Sequence, residues 1–250
     1  MLRLMTSSED GAGGALPEAL RDVTIGVLGG TGDQGRGLAR RFAAAGLPVV
    51  LGSRDADRAE AVAVELDGDL GGAHRDDDGA TAPAGSVRGG SNADAAAAGD
   101  VVVVAVPWTA HEPLLRDLAD ALAGKVLVDC VNPLGFDDRG PHALAVAEGS
   151  ACEQAQALVP GARVVGAFHH VPAPLLLDPS GERLEGDVLV VGDDREAVDL
   201  VVALAGCVPG LRGVAAGRLR LAHAVEALTA NVIAVNTRYR TRAGVRLTGV

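Results

Sequence analysis

Four glycines fall within seven residues, at positions 29, 30, 32 and 35, and the last three of them spell G-x-G-x-x-G. That spacing suits phosphate binding. Gly30 permits a tight turn after a strand, Gly32 lets a pyrophosphate lie on the backbone, and Gly35 lets the following helix pack closely on the strand. Thr31, Asp33 and Gln34 fill the intervening positions at a helix N-terminus, whose free N–H groups and partial positive charge favour phosphate. A second polar set stands at the end of the next apolar run, "LPVVLGSRDADR". Proteins that bind NAD carry an acid about 20 residues beyond the glycines to hold the ribose 2′-hydroxyl. Here Ser53 and Arg54 take that place, and Arg58 follows one helical turn later. A carboxylate would repel a 2′-phosphate, whereas a hydroxyl and guanidinium groups bind one. The expected cofactor is therefore NADP(H) rather than NAD.

Three further apolar runs end in unusual residues: "AVPWT", "VDCVNPL" and "FHHVPAP". Each contains a proline, which stops a strand and fixes a loop. Trp108 is the only tryptophan in a chain that is 2% aromatic. His169 and His170 are consecutive on a predicted strand, so they face opposite ways, and His169 is the candidate for the cleft. No Ser-His-Asp set, H-E-x-x-H motif or carboxylate pair is recognisable. Lys125 is the only lysine and Tyr239 the only tyrosine, so a proton donor of the kind carbonyl reduction needs is hard to nominate. Hydride transfer between two ring carbons needs stacked rings at near-attack distance and no such donor. Cys130, Cys152 and Cys207 lie far apart without metal-ligand spacing and read as buried, reduced thiols. No metal site is expected.

The elements that must position these groups alternate. "VTIGVLG" reads as a strand, "GRGLARRFAAAG" as a helix, "LPVVLGSR" as a strand and "DADRAEAVAVEL" as a helix. The polar stretch 67–90 reads as a surface excursion around a short third strand. "NADAAAAG" is helical, "DVVVVAVP" a strand, "LLRDLADALAG" helical, "KVLVDCVNP" a strand, "SACEQAQALVPG" helical and "ARVVGAFHHVP" a strand. "GDVLVVGDD" is a strand, "REAVDLVVALAG" a helix, and the tail from "RLRLAHAVEALT" a long helix, apolar nearly all round and so expected to be buried in its own chain or against a second copy. The apolar runs lack period-2 polarity, as strands buried on both faces do. Strands alternating with helices predict an α/β, Rossmann-type doubly wound, mostly parallel sheet. Residues 1–21 are rich in Gly, Ser and Ala and read as a disordered extension.

The 250 residues are 48% hydrophobic and 22% charged, enough for a sizeable core, with a formal net charge of -11. That charge argues against a nucleic-acid partner. No apolar run approaches the roughly 20 residues of a membrane span, and the N-terminus has no secretory apolar core, so a cytoplasmic protein is expected.

The stretch "GVLGGTGDQGRGLARRFAAAGLPVVLGSRDADRAEAVAVEL" resembles the start of the deazaflavin-dependent NADP oxidoreductases, which use coenzyme F420. The resemblance continues through "VVVVAVPW", "VDCVNPL", "GSACEQAQALVPGARVVGAFHHVPA", "VGDDREAVDLVVALAG" and "VEALTANVIAVN". It implies a Rossmann NADP-binding domain over 22–175 and a small C-terminal helical or α+β domain over 176–250, with the deazaflavin pocket at their junction, a homodimer, and hydride transfer between NADPH and the deazaflavin. Thr31, Gly32, Asp33, Gln34, Ser53, Arg54 and Arg58 would bind NADP, and Pro107 and Trp108 would lie along the nicotinamide side. Asn132, Pro133, His169, Val171 and Pro172 would line the deazaflavin pocket. His111 sits one place later than the histidine of some relatives, which leaves its role open, and the stretch 67–90 is longer and more acidic than the family pattern. Two other readings fit the glycine loop: an NADP-dependent reductase of small imines or β-hydroxy acids, and a non-catalytic NADP(H)-binding sensor.

Overall fold

A computed structural model describes residues 16–70, 85–178, 180 and 183–250. The chain runs β1 (Ile25–Leu28), α1 (Asp33–Ala44), β2 (Val49–Ser53), α2 (Ala56–Leu70), β3 (Val87–Ser91), α3 (Asn92–Ala98), β4 (Val101–Val104), α4 (Trp108–Asp117), α5 (Ala119–Leu122) and β5 (Val126–Asp129). It continues with the hairpin β6 (Leu134–Asp137) and β7 (Gly140–Ala143), then α6 (Ala151–Leu158), β8 (Arg163–Gly166), α7 (Ala173–Leu176), β9 (Gly186–Gly192), α8 (Arg195–Gly206), β10 (Leu211–Gly217) and α9 (Ala222–Tyr239).

Among the described residues, eight strands form one sheet in the order β10-β9-β8-β5-β4-β1-β2-β3. The six from β8 to β3 are parallel; β9 runs antiparallel to β8, and β10 parallel to β9. Every residue of β1, β2, β4 and β5 is buried, as continuous Val/Ile/Leu runs covered by helices on both faces require. The strand order reverses between β1 and β4, the point where ligands bind in such sheets. Register makes that end flush. Leu28 stands level with Gly52 and Val104, Val104 with Asp129, and Asp129 with Gly166. All five loops that carry the candidate residues therefore leave the sheet from one row.

Short-range chemistry sets several element ends. Ser91 and Asp94 form a capping box at the start of α3. Asp194 caps α8, accepting from the Ala197 N–H at 2.8 Å. On α1, Leu38 and Phe42 are fully buried, and the Phe42 ring meets Phe168 edge-on at 5.7 Å. Such an aromatic pair contributes about 0.5–1.5 kcal/mol beyond its area.

Several expectations need correction. Residues 16–21 are not a loose extension: a 3-10 turn over Glu18–Leu20 places Leu20 fully buried in the core. Residues 1–15 and 71–84 lie outside the described residues, so the rest of the expected extension and most of the 67–90 excursion do too; the short third strand expected there is β3. Helix α4 starts at Trp108, six residues earlier than the periodicity suggests. The β6–β7 hairpin, α7 and β10 have no counterpart in the sequence reading. Strand β8 stops at Gly166, because Phe168 takes a left-handed backbone (φ 61°) that no strand can continue. His169 and His170 consequently lie in a turn, and the expectation that they face opposite sides of a strand fails: both are buried, at 6% exposure each. Helix α9 is not buried by its own chain. Only Ala222, Val225, Glu226 and Thr229 are buried on it, while Val235 is 40% and Tyr239 73% exposed. Among the described residues no helix is long and apolar enough to cross a membrane.

Candidate functional site

The glycine loop joins β1 to α1 at the switch point. The positive φ falls on Gly29 (74°), one residue before the glycine expected to make the turn. Gly30 packs instead: a Cβ there would meet Leu51 Cδ2 at 2.4 Å. At Gly35 a Cβ would meet the Gly29 carbonyl oxygen at 2.8 Å and Gly30 Cα at 2.9 Å, so the helix lies on the loop as its spacing predicts. Gly32 differs. Its φ is -80°, and a Cβ would touch nothing nearer than the Gly29 oxygen at 3.5 Å. Neither backbone nor packing requires glycine at this exposed position. The open space above it is a cradle that a side chain would fill, and it lies at the N-terminus of α1, where no side chain caps the free N–H groups. Thr31 and Asp33 flank it. Gln34 donates from Nε2 to the Phe168 carbonyl at 3.2 Å, which ties the loop to the turn that carries His169.

At the end of β2, Ser53 is nearly buried, and its hydroxyl accepts from the Asp55 N–H at 3.2 Å. Arg54 and Arg58 are exposed, and neither has an ion-pair partner among the described residues. The exposed Asp55 carboxylate accepts from the Arg58 N–H at 3.1 Å and so fixes the start of α2. A hydroxyl and two free cations at this strand end suit a phosphate monoester better than a diol.

The ends of β4, β5 and β8 converge with α9. Pro107 precedes α4, and Trp108 opens it, half-buried and set against the His111 ring with centroids 5.4 Å apart and planes tilted by 33°. The loop after β4 abuts the glycine loop, since a Cβ at Gly29 would meet Ala105 O and Val106 Cγ1 at 2.6 Å. From α9, the Thr229 hydroxyl lies 3.0 Å from Asn132 Oδ1 and 3.2 Å from the His169 carbonyl, which also accepts from Asn132 Nδ2 at 3.3 Å. Pro133, Val171 and Pro172 flank this knot. Asn132, His169 and Thr229 thus join three elements at one point, as the two strand-end motifs suggest, with Thr229 an addition the sequence reading lacks.

His169 itself has no hydrogen-bond partner on either ring nitrogen among the described residues. Burial pushes its imidazole down to about 4, despite the opposing pull of the Asp129 carboxylate, so the ring is neutral at pH 7. A buried imidazole with two unmet nitrogens can accept from, and donate to, a polar ligand. His170 instead bonds the Val225 carbonyl through Nε2 at 2.6 Å, and burial lowers its basicity.

Cys152, His169 and Glu226 bring one ligand-type atom each within 4.8 Å of the others, all buried. The Glu226 carboxylate already accepts from the Ala151 and Cys152 N–H groups at 3.0 and 3.1 Å. It acts as a helix-N-terminal anion that clamps α9 to the start of α6. Burial raises all three thiols, and holds Cys207, the least buried, at about 11; all are protonated at neutral pH. Cys207 is half-buried and so departs from the buried state expected for it.

Fold and switch-point cradle define a Rossmann protein of the dinucleotide-binding class, with the strand-end knot where the β5 and β8 ends meet α9. Comparison with known proteins narrows the class. The family model "NADP oxidoreductase coenzyme F420-dependent" matches residues 24–133. The F420-dependent NADP reductase of Methanothermobacter thermautotrophicus is 40% identical over 91% of this chain and 96% of its own. That of Methanothermobacter marburgensis is 38% identical over 91% and 99%. A crystal structure from Arthrobacter sp. FB24, described as an F420-dependent NADP reductase, superposes with a TM-score of 0.73 at 28% identity, covering 90% of this chain and 99% of its own. The chain belongs to the family of F420-dependent NADP reductases.

Proposed function

We propose that this protein transfers a hydride between NADP(H) and the deazaflavin coenzyme F420. The observation that carries the reading is the match to the two Methanothermobacter reductases along nine-tenths of the chain; the cradle and the knot agree with it. The cradle over Gly32 and the N–H groups opening α1, with Thr31, Asp33 and Gln34 around it, would receive the pyrophosphate. Ser53, Arg54 and Arg58 would hold the 2′-phosphate, and Pro107 and Trp108 would flank the nicotinamide. Asn132, Pro133, His169, Val171 and Pro172 would hold the deazaflavin where residues 22–175 meet residues 176–250. When bound, the two coenzymes supply the hydride donor and acceptor carbons.

What the chain does is position and exclude water. The Asn132–Thr229–His169 knot fixes the His169 backbone, and Gln34 links that turn to the phosphate loop. His169, neutral and orphaned on both nitrogens, positions the second ring by a hydrogen bond and carries no obligatory proton. A homodimer built on α9 extends the reading. The helix packs on β7, and Phe136 (67% exposed), Leu144 (40%), Val235 and Tyr239 are large apolar or aromatic side chains left exposed on or beside these elements, which a second copy would cover. Absence of a nucleic-acid partner follows from the net charge of -11, and three protonated thiols suit the reducing cytoplasm. The test is to mix the protein with NADPH and oxidised F420. Both absorbances should change together; F420 left oxidised beside bound NADPH would overturn the assignment.

A further inference from the structure

We propose that His111, clasped between Asp129 and Gln154, is the positioning residue that fixes Trp108 at the entrance to the cleft. The geometry stands alone; that Trp108 there meets the nicotinamide rests on the function proposed above. His111 and Asp129 are both fully buried. His111 Nε2 lies 2.7 Å from Asp129 Oδ2 and Nδ1 lies 3.0 Å from Gln154 Oε1. The Gln154 amide nitrogen donates to Glu148 at 3.2 Å, so its oxygen must face the imidazole. With an acceptor at each nitrogen, both nitrogens carry hydrogen and the ring is an imidazolium. Asp129 is tied to the sheet as the last residue of β5, and its other oxygen accepts from the Val131 N–H at 3.0 Å.

Helix α4 needs such a clasp. Its first turn has no side-chain cap and no acid, and Pro113 inside the helix removes an N–H from its ladder. Trp108 and His111 are three residues apart, on one face of that turn, and their rings meet at 5.4 Å between centroids, tilted by 33°. The ion pair therefore pins the turn that presents Trp108 beside the glycine loop. The charged and polar groups facing His111 are Asp129 from β5, Gln154 from α6 with Glu148 before it, and, at longer range, Glu226 from α9. Burial opposes the imidazolium, but Asp129, Gln154 and Glu226 outweigh it, leaving His111 more basic than the ordinary 6.5.

Trp108, as the only tryptophan, reports the clasp directly, because an imidazolium quenches an indole at contact distance. The full-length protein without cofactor is titrated while its emission is followed. The expected curve brightens in one step whose midpoint lies above 6.5. Gln154→Glu, which adds a carboxylate to the clasp, should move that step further up. His111→Gln should be bright throughout, lose energy transfer from Trp108 to bound NADPH, and raise KM for NADPH about tenfold, the effect of one misplaced contact, with kcat little changed. A step at or below 6.5 in the unmodified protein overturns the clasp, even where a variant fails to fold. Unchanged transfer and KM in a folded His111→Gln protein overturn the positioning role. Normal fluorescence behaviour without any F420 turnover would leave the clasp standing and defeat only the proposed reaction.

Discussion

Gly32→Ala separates the folding role of the glycine loop from its binding role. The new Cβ meets nothing nearer than 3.5 Å, and φ at -80° is one that alanine adopts freely. Replacing glycine narrows the unfolded ensemble by about 0.4–1 kcal/mol, and alanine is a worse N-cap than glycine by a similar amount. The two offset, so the unfolding free energy should move by less than about 1 kcal/mol. Binding should suffer, because the methyl occupies the cradle. Pushing a pyrophosphate off one charge-assisted hydrogen bond costs about 1.5–3 kcal/mol, which is roughly 10- to 150-fold in Kd. Gly35→Ala is the contrast: its Cβ would stand 2.8 Å from a backbone oxygen and 2.9 Å from Gly30 Cα, so it should lower the melting temperature. Calorimetry of NADPH binding and urea unfolding on both variants measures the two effects. Gly32→Ala with wild-type affinity would refute the cradle, and Gly32→Ala that unfolds like Gly35→Ala would refute the packing argument.

Other expectations follow from the same geometry. Arg54→Ala should weaken NADPH by about 1.5–3 kcal/mol and leave NADH nearly untouched; an equal loss for both would remove the 2′-phosphate from this strand end. His169→Ala should slow the hydride step by no more than about tenfold, the scale of one neutral hydrogen bond, and weaken F420 more than NADPH. A slowing of a thousandfold or more in rapid mixing, with both ligands bound, would make His169 a proton donor. Acid stability has a defined sign. With folded His169 near 4 and an unfolded value of 6.5, the unfolded chain takes up the proton first. His169 then removes about 3 kcal/mol of stability as pH falls from 6.5 to 4, and comparing His169→Ala with the unmodified protein across that window isolates it. Glu226→Gln should cost about 1–3 kcal/mol in urea unfolding, since one of the two α6 N–H groups it accepts from is left unmet.

The parallel part of the sheet from β1 to β5 is legible because its grammar is local. Valine runs such as Val101–Val104 admit one reading, and a glycine pattern between strand and helix admits few. The parts that escaped depend on distant residues. Strand β10 (Leu211–Gly217), an edge strand interrupted by Gly213, Ala215 and Ala216, takes its identity from pairing with β9. The end of β8 is set by one left-handed residue, Phe168, held by Phe42 and Gln34 from far away in sequence. His111 and Asp129 are 18 residues apart and meet only because β4 and β5 are neighbours. A signal existed: Asp129 is the one acid inside "KVLVDCV", and Glu226 the one acid inside "AHAVEALTANVIAVN". A carboxylate in an apolar run implies a buried partner. Helix α9 is apolar nearly all round, yet its own chain buries only Ala222, Val225, Glu226 and Thr229 on it, because one apolar face is all that α6 and β7 cover.

The central claim is direct hydride transfer between NADPH and the deazaflavin, and isotope tracing tests it without ambiguity. NADPH carrying deuterium on the transferring face of nicotinamide C4 is mixed with the protein and oxidised F420, and the reduced deazaflavin is analysed by mass spectrometry. The account predicts that one deuterium appears in the product and that hydride formation slows by a primary isotope effect. A product without deuterium in ordinary water, or deuterated only when the solvent is, would contradict it.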